Sequence, residues 1–211
     1  MCGMAVMRKG YAVFRSRQSR FGLQSAMPSF DRPTDAAIAP SAWVLRFAAL
    51  IRPGGHVLDV AAGHGRHTRA LRALGFAVTA IDVDVSGMAD LKGDAGVQVI
   101  AADLETGAWP LTGQAFDALV VTNYLHRPHF PHYVAALAEE GVLIVETFAQ
   151  GNERLGRPRN PDFLLRPGEL FAAFSGALQV VAYEHGAEHE PRPAVRQRLC
   201  AVKGGTPVLL P

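Results

Sequence analysis

Three acidic residues, Asp59, Asp82 and Asp103, each close a short apolar run, in "HVLDV", "FAVTAID" and "VQVIAAD". An acid recurring at strand ends sets carboxylates along the carboxyl edge of a sheet, where open α/β sheets bind their ligands. Asp59 is followed by Ala61, Gly63 and Gly65, in the spacing D-x-A-x-G-x-G. A turn so bare of side chains lets a ligand approach the backbone. A carboxylate just before the turn repels a pyrophosphate and attracts a cation, and Thr68 stands where a dinucleotide turn has its third glycine. Both features disfavour a nicotinamide dinucleotide. Asp82, 23 residues beyond Asp59, can accept both hydroxyls of a ribose, and Asp103 can accept from an exocyclic amine such as that of adenine.

The elements that must hold these acids follow from periodicity. "SAWVLRFAALIRPGG" places Trp43, Val44, Phe47, Leu50 and Ile51 on one helical face, with Ser41 as N-cap and Pro53-Gly54-Gly55 as the stop. "HVLDV" is the first strand and "RHTRALRALG" a helix capped by Gly75. "FAVTAID", "VQVIAAD", "FDALVVTN" and "GVLIVETF" read as strands two to five. Strands this uniformly apolar are those covered by helices on both faces of a parallel sheet. After Phe148 a stretch rich in Pro, Gly and Arg, including Arg154, Arg157, Arg159 and Arg166, forms a long loop, either an anion-reading lid or a solvated connection. A short helix begins at Pro167, and "LQVVAYEHG" and "VRQRLCAVKG" form a terminal antiparallel hairpin.

Length and composition bound the rest. The 211 residues, 49% of them hydrophobic, suffice for one α/β domain with a full core. Cys2 and Cys200 lie near opposite ends, which argues against a disulfide framework and fits a reducing, cytoplasmic home. No apolar run approaches the ~18 residues that cross a bilayer, so no membrane partner is expected. Net charge is +2, but residues 1–30 hold five basic residues and no acid, leaving 16 basic against 19 acidic residues from position 31 onward. That segment reads as a disordered basic arm or an over-extended start, with Met27 as the true one, ahead of a single domain at 31–211. His126, His129 and His132 recur at intervals of three. Pro128 and Pro131 keep a regular helix from aligning them, and no nearby Cys or acid completes a set, so no metal site is expected.

With these motifs assembled, the chain resembles the class I S-adenosylmethionine-dependent methyltransferases over about residues 40–203. "VLDVAAGHG" is similar to the family's first motif, "AIDVD" to the acidic motif after it, "AADLE" to the adenine-contacting segment and "FDALVVTNYLH" to the fourth motif. Ala61 departs from the pattern, since many members have glycine there. The "GRHTRAL" helix and the stretch after "ETFAQGN" resemble a bacterial group labelled tellurite-resistance-like. The resemblance implies a doubly wound, seven-stranded, mostly parallel sheet in the order 3-2-1-4-5-7-6, with strand seven antiparallel and helices on both faces.

The resemblance also implies S-adenosylmethionine as cofactor. Asp59 would lie near its methionine amine, Ala61, Gly63 and Gly65 would admit it, Asp82 and Val83 would hold the ribose edge, and Asp103 with Leu104 would frame the adenine. Arg66, opening a helix, can form a charge-assisted bond to its α-carboxylate. Asn123, Tyr124 and His126 fall where the family places substrate-facing groups and can orient or deprotonate an acceptor, with Asn123 also beside the cofactor. Glu146 is a substrate contact or a cap. The expected activity is methyl transfer to a small-molecule acceptor, because the part beyond residue 30 is mildly acidic and offers no basic stripe with interleaved aromatics. An RNA or protein acceptor served by the basic arm and the arginine-rich loop, and a non-catalytic cofactor-binding protein, are the alternatives.

Overall fold

The computed structural model describes residues 39–205 and 207–211. The basic arm expected at 1–30, the start at Met27 and the lower boundary of the 31–211 domain lie outside the described residues. Seven strands, β1 (His56–Val60), β2 (Ala77–Asp82), β3 (Val97–Ala101), β4 (Phe116–Thr122), β5 (Leu137–Phe148), β6 (Gln179–Glu188) and β7 (Ala194–Val202), form one sheet ordered β3-β2-β1-β4-β5-β7-β6. Strands β1 to β5 pair in parallel, and β7 runs antiparallel to both β5 and β6. This is the order that the resemblance implies. Among the described residues no helix is long and apolar enough to cross a membrane.

Alternation along the central strands divides the core into two layers. Leu58, Leu119, Leu143 and Leu199 face one side, with Tyr133 and Phe174. Val57, Val120, Ile144 and Cys200 face the other, with Trp43, Phe47 and Leu71. Both faces are therefore apolar, and each fully buried Leu, Ile or Val adds about 1.5–3 kcal/mol to the collapse. The covering helices are short: α1 (Ala42–Phe47), α2 (Arg66–Ala73), α3 (Phe130–Ala136) and α4 (Glu169–Phe174). The β3–β4 connection, residues 102–115, contains only turns and bends.

Several boundaries move from their expected places for local reasons. The first helix gives way to a 3-10 turn at Ala48–Leu50, although Trp43, Val44, Phe47 and Ile51 are all buried. Helix α2 ends as Gly75 predicts: its φ of +92° suits glycine, and the N–H groups of Gly75 and Phe76 reach back to the carbonyls of Arg72 and Leu71. Strand β5 starts at Leu137 rather than Gly141, because Leu137 pairs with Phe116 ahead of an irregularity in register. Helix α4 begins at Glu169, after Gly168 turns the chain with φ +73°.

Candidate active site

The parallel strands bring Asp59, Asp82 and the end of β4 to one edge. The register pairs Asp59 with Ala80 of β2 and Val120 of β4, so the glycine turn after β1 opens between the ends of β2 and β4. That is the switch point of the sheet, where connections leave in opposite directions. The turn itself is strained at one place, since Ala61 carries φ +51°. Gly63 and Gly65 have φ +60° and +78°. At Gly65 a Cβ would also lie 2.7 Å from Met88 Cγ. Gly65 thus serves packing as well as approach.

Asp82 clasps this turn. One carboxylate oxygen accepts from the Gly63 amide at 2.7 Å and the other from the Asp84 amide at 3.0 Å. Asp59 is wholly buried, and one of its oxygens accepts from the Thr68 hydroxyl at 2.7 Å. The residue that breaks the dinucleotide pattern is the partner of the acid that precedes the turn. Arg66 opens α2 partly exposed and reaches the Ala39 carbonyl at 3.4 Å. Val83 is 45% exposed beside Asp82, whereas Leu104 is buried. Asp103 accepts from the Glu105 amide at 2.8 Å, and that bond, with the Thr106 hydroxyl, holds its carboxyl below the usual range.

The four catalytic candidates meet different fates. Glu146 is buried and ion-paired, its carboxylate 2.7 Å from Arg198 Nε and 2.9 Å from the Ser41 hydroxyl. Ser41 occupies the N-cap position of α1, but its side chain caps nothing there; the hydroxyl goes to Glu146 instead. Its amide N–H donates to His67 Nε2 at 3.1 Å, and His67 Nδ1 faces the Thr122 hydroxyl at 3.2 Å. Those partners assign His67 the neutral tautomer with hydrogen on Nδ1. Asn123, in the left-handed region at φ +53°, accepts through Oδ1 from Arg196 at 2.6 Å. Burial, then the nearby carboxylates of Glu105, Asp103 and Asp82, push the Tyr124 phenol well above its ordinary pKa. That shift favours the protonated phenol. His126 stacks near Tyr124 with ring centres 6.5 Å apart and meets His129 at 4.5 Å.

Two arginines that the sequence reading passed over line the far wall. Arg196 and Arg198 are paired in register with Phe148 and Glu146 of β5, so they share a face with them at the carboxyl edge. Arg196 lies 2.5 Å from Glu188 and 4.2 Å above the Phe148 ring. Arg198 joins Glu146, Glu188 and Glu184; burial opposes its charge, but the carboxylates outweigh it and raise its pKa. The alternation "VRQR" against "EHGAE", opposite charges two and four apart in facing strands, is the signal that could have found them. The loop after β5 is held by another residue. Arg127 reaches Glu169 at 2.5 Å and the carbonyls of Asp162 and Leu164, while Arg154, Arg157, Arg159 and Arg166 are exposed.

A returning β7 beside β5, with an acid–glycine turn at the switch point, defines the Rossmann-like architecture of class I methyltransferases. The family described as "Methyltransferase domain" matches residues 57–141 of the chain. Three solved structures are similar in fold. TehB from Haemophilus influenzae superposes with a TM-score of 0.63 at 19% identity, over 76% of this chain and 61% of its own. The 1,6-didemethyltoxoflavin-N1-methyltransferase of Burkholderia thailandensis, with 1,6-didemethyltoxoflavin and S-adenosylhomocysteine bound, gives 0.59 at 21%, over 78% and 77%. The N-methyltransferase NodS of Bradyrhizobium japonicum, in complex with S-adenosylhomocysteine, gives 0.59 at 18%, over 84% and 94%. The chain thus spans about three fifths of the length of TehB. No curated protein matches it in sequence.

Proposed function

We propose that the protein transfers the methyl group of S-adenosylmethionine to a small-molecule acceptor. The observation that carries this reading is the clasp of Asp82 on the Gly63 and Asp84 amides, which sets a carboxylate at the end of β2 above a turn without side chains. The residues fit the cofactor. Asp82 and Val83 would hold the ribose edge, Asp103 and Leu104 the adenine, and Ala61, Gly63 and Gly65 the approach. Asp59 would supply negative charge beneath the methionine amine, and Arg66 a donor to its carboxylate. Two of the similar structures hold S-adenosylhomocysteine, and one of them holds a small heterocycle as well, which supports a small acceptor here.

The cofactor brings an activated methyl group, so the protein's part is alignment, worth about 7–11 kcal/mol in the best cases. Asn123, with its Oδ1 accepting from Arg196, would have its amide N–H groups left to offer an acceptor. His126 is the remaining candidate for moving a proton, because Glu146 is ion-paired and Tyr124 stays protonated. Isothermal titration with S-adenosylmethionine and S-adenosylhomocysteine, with NAD as control, tests the cofactor. Micromolar binding of the first two alone is expected, and binding of neither sinks the reading. Labelled methyl transfer into fractionated extract then tests the acceptor: label in small molecules is expected, and label in RNA or protein overturns that part.

A further inference from the structure

Tyr124 presents a buried polar atom that the described residues leave unused. Its hydroxyl is shielded from solvent and has no hydrogen-bond partner among the described residues. A buried hydroxyl without a partner carries a desolvation penalty, and such groups in native folds call for an explanation. Location supplies one. Tyr124 follows β4 by two positions, and its ring packs against the core cluster that contains Ala61 of the glycine turn and Leu104. The carboxylates acting on the phenol are those of Glu105, Asp103 and Asp82; Asp82 ends β2, and Asp103 follows β3 by two positions. Tyr124 thus lies just past the carboxyl end of β4, and the acids at the neighbouring strand ends are already engaged: Asp82 by the Gly63 and Asp84 amides and Asp103 by that of Glu105.

Resting on the cofactor reading above, we infer that Tyr124 is a cofactor-positioning residue whose hydroxyl donates a hydrogen bond to the adenosine half of S-adenosylmethionine. Adenosine offers ring nitrogens and the ribose ring oxygen as acceptors, and a phenol kept protonated by burial and negative surroundings is a dependable donor to them. A role at the methionine end is a different outcome, and the ligands below separate the two.

Tyr124→Phe keeps the ring and removes only the hydroxyl. Calorimetry on the full chain is expected to show affinity for S-adenosylmethionine, S-adenosylhomocysteine and 5′-methylthioadenosine all falling about five- to fiftyfold. Without ligand the same variant is expected to melt no lower than the parent, since an unpaired buried polar atom has gone. Unchanged affinity for all three overturns the inference, and so does a loss confined to the two ligands that carry the amino-acid end. Asp82→Ala is measured alongside. If it weakens binding while Tyr124→Phe does not, this inference alone fails; if the parent chain binds none of the three ligands, the cofactor reading fails and takes this inference with it.

Discussion

Asp82 Oδ2 lies 2.7 Å from the Gly63 amide nitrogen, so the acid that ends β2 is bonded to the turn that follows β1. Removing it deletes the clasp and, on the proposed reading, the ribose contact as well. Asp82→Ala is expected to lower S-adenosylhomocysteine affinity by about 1–3 kcal/mol, with far-ultraviolet dichroism unchanged. Calorimetry checks this, and undiminished binding would remove Asp82 from the site.

Glu146 and Arg198 form a pair whose side chains are 8% and 23% exposed. Leaving Glu146 without its principal partner strands a charge in a poorly solvated place. Arg198→Met is therefore expected to cost about 3–5 kcal/mol in denaturant unfolding, and Glu146→Gln with Arg198→Met to recover a large part of it. A loss in the double variant equal to the sum of the two single losses would show that the pair is uncoupled.

Ala61 holds φ +51° where an alanine side chain is strained. Ala61→Gly relieves the strain at some cost in chain entropy, for an expected net gain of about 0.5–1 kcal/mol. Thermal melting should show a rise of about 1–4 °C. A fall would mean that the methyl group contributes more to packing than the backbone loses to strain.

Burial pushes the Cys200 thiol up to about 12, with Arg46 only partly opposing. Because the folded-state value lies above that of the unfolded chain, the contribution to stability is intact below about pH 8.5 and is lost as pH rises toward 12. In a chain with Cys2→Ser, Cys200 is expected to resist thiol reagents at pH 8 until denaturant is added. Replacing Cys200 by Ala should flatten part of the alkaline loss of stability. Rapid labelling of the native chain would contradict the burial.

The glycine turn and the acids beside it were legible because their determinants are short-range. Asp59, Gly63, Gly65 and Asp82 fall within 24 residues, each acid marked by the apolar strand before it, and the hairpin of β6 and β7 showed in two adjacent Val-rich runs. The opposite wall was not. Ser41 meets Glu146 across 105 positions, Arg196 meets Asn123 across 73 and Arg198 meets Glu146 across 52. No local pattern fixes which strand faces β5. Ser41 reads as a helix cap because its neighbours predict a helix, and only tertiary contact turns its hydroxyl away. The same holds for Tyr124, whose suitability as a base depends on acids delivered by two other strands.

The reversal of β7 divides the labour along the chain. Because β7 runs backwards beside β5, it is the beginning of that strand, Arg196 and Arg198, that arrives at the crevice, carried by a hairpin that starts at Gln179. The stretch matched to the family described as "Methyltransferase domain", 57–141, ends before either arginine is laid down. The returning hairpin thus reaches the carboxyl edge from a part of the chain separate from the one that holds Asp59, the glycine turn and Asp82.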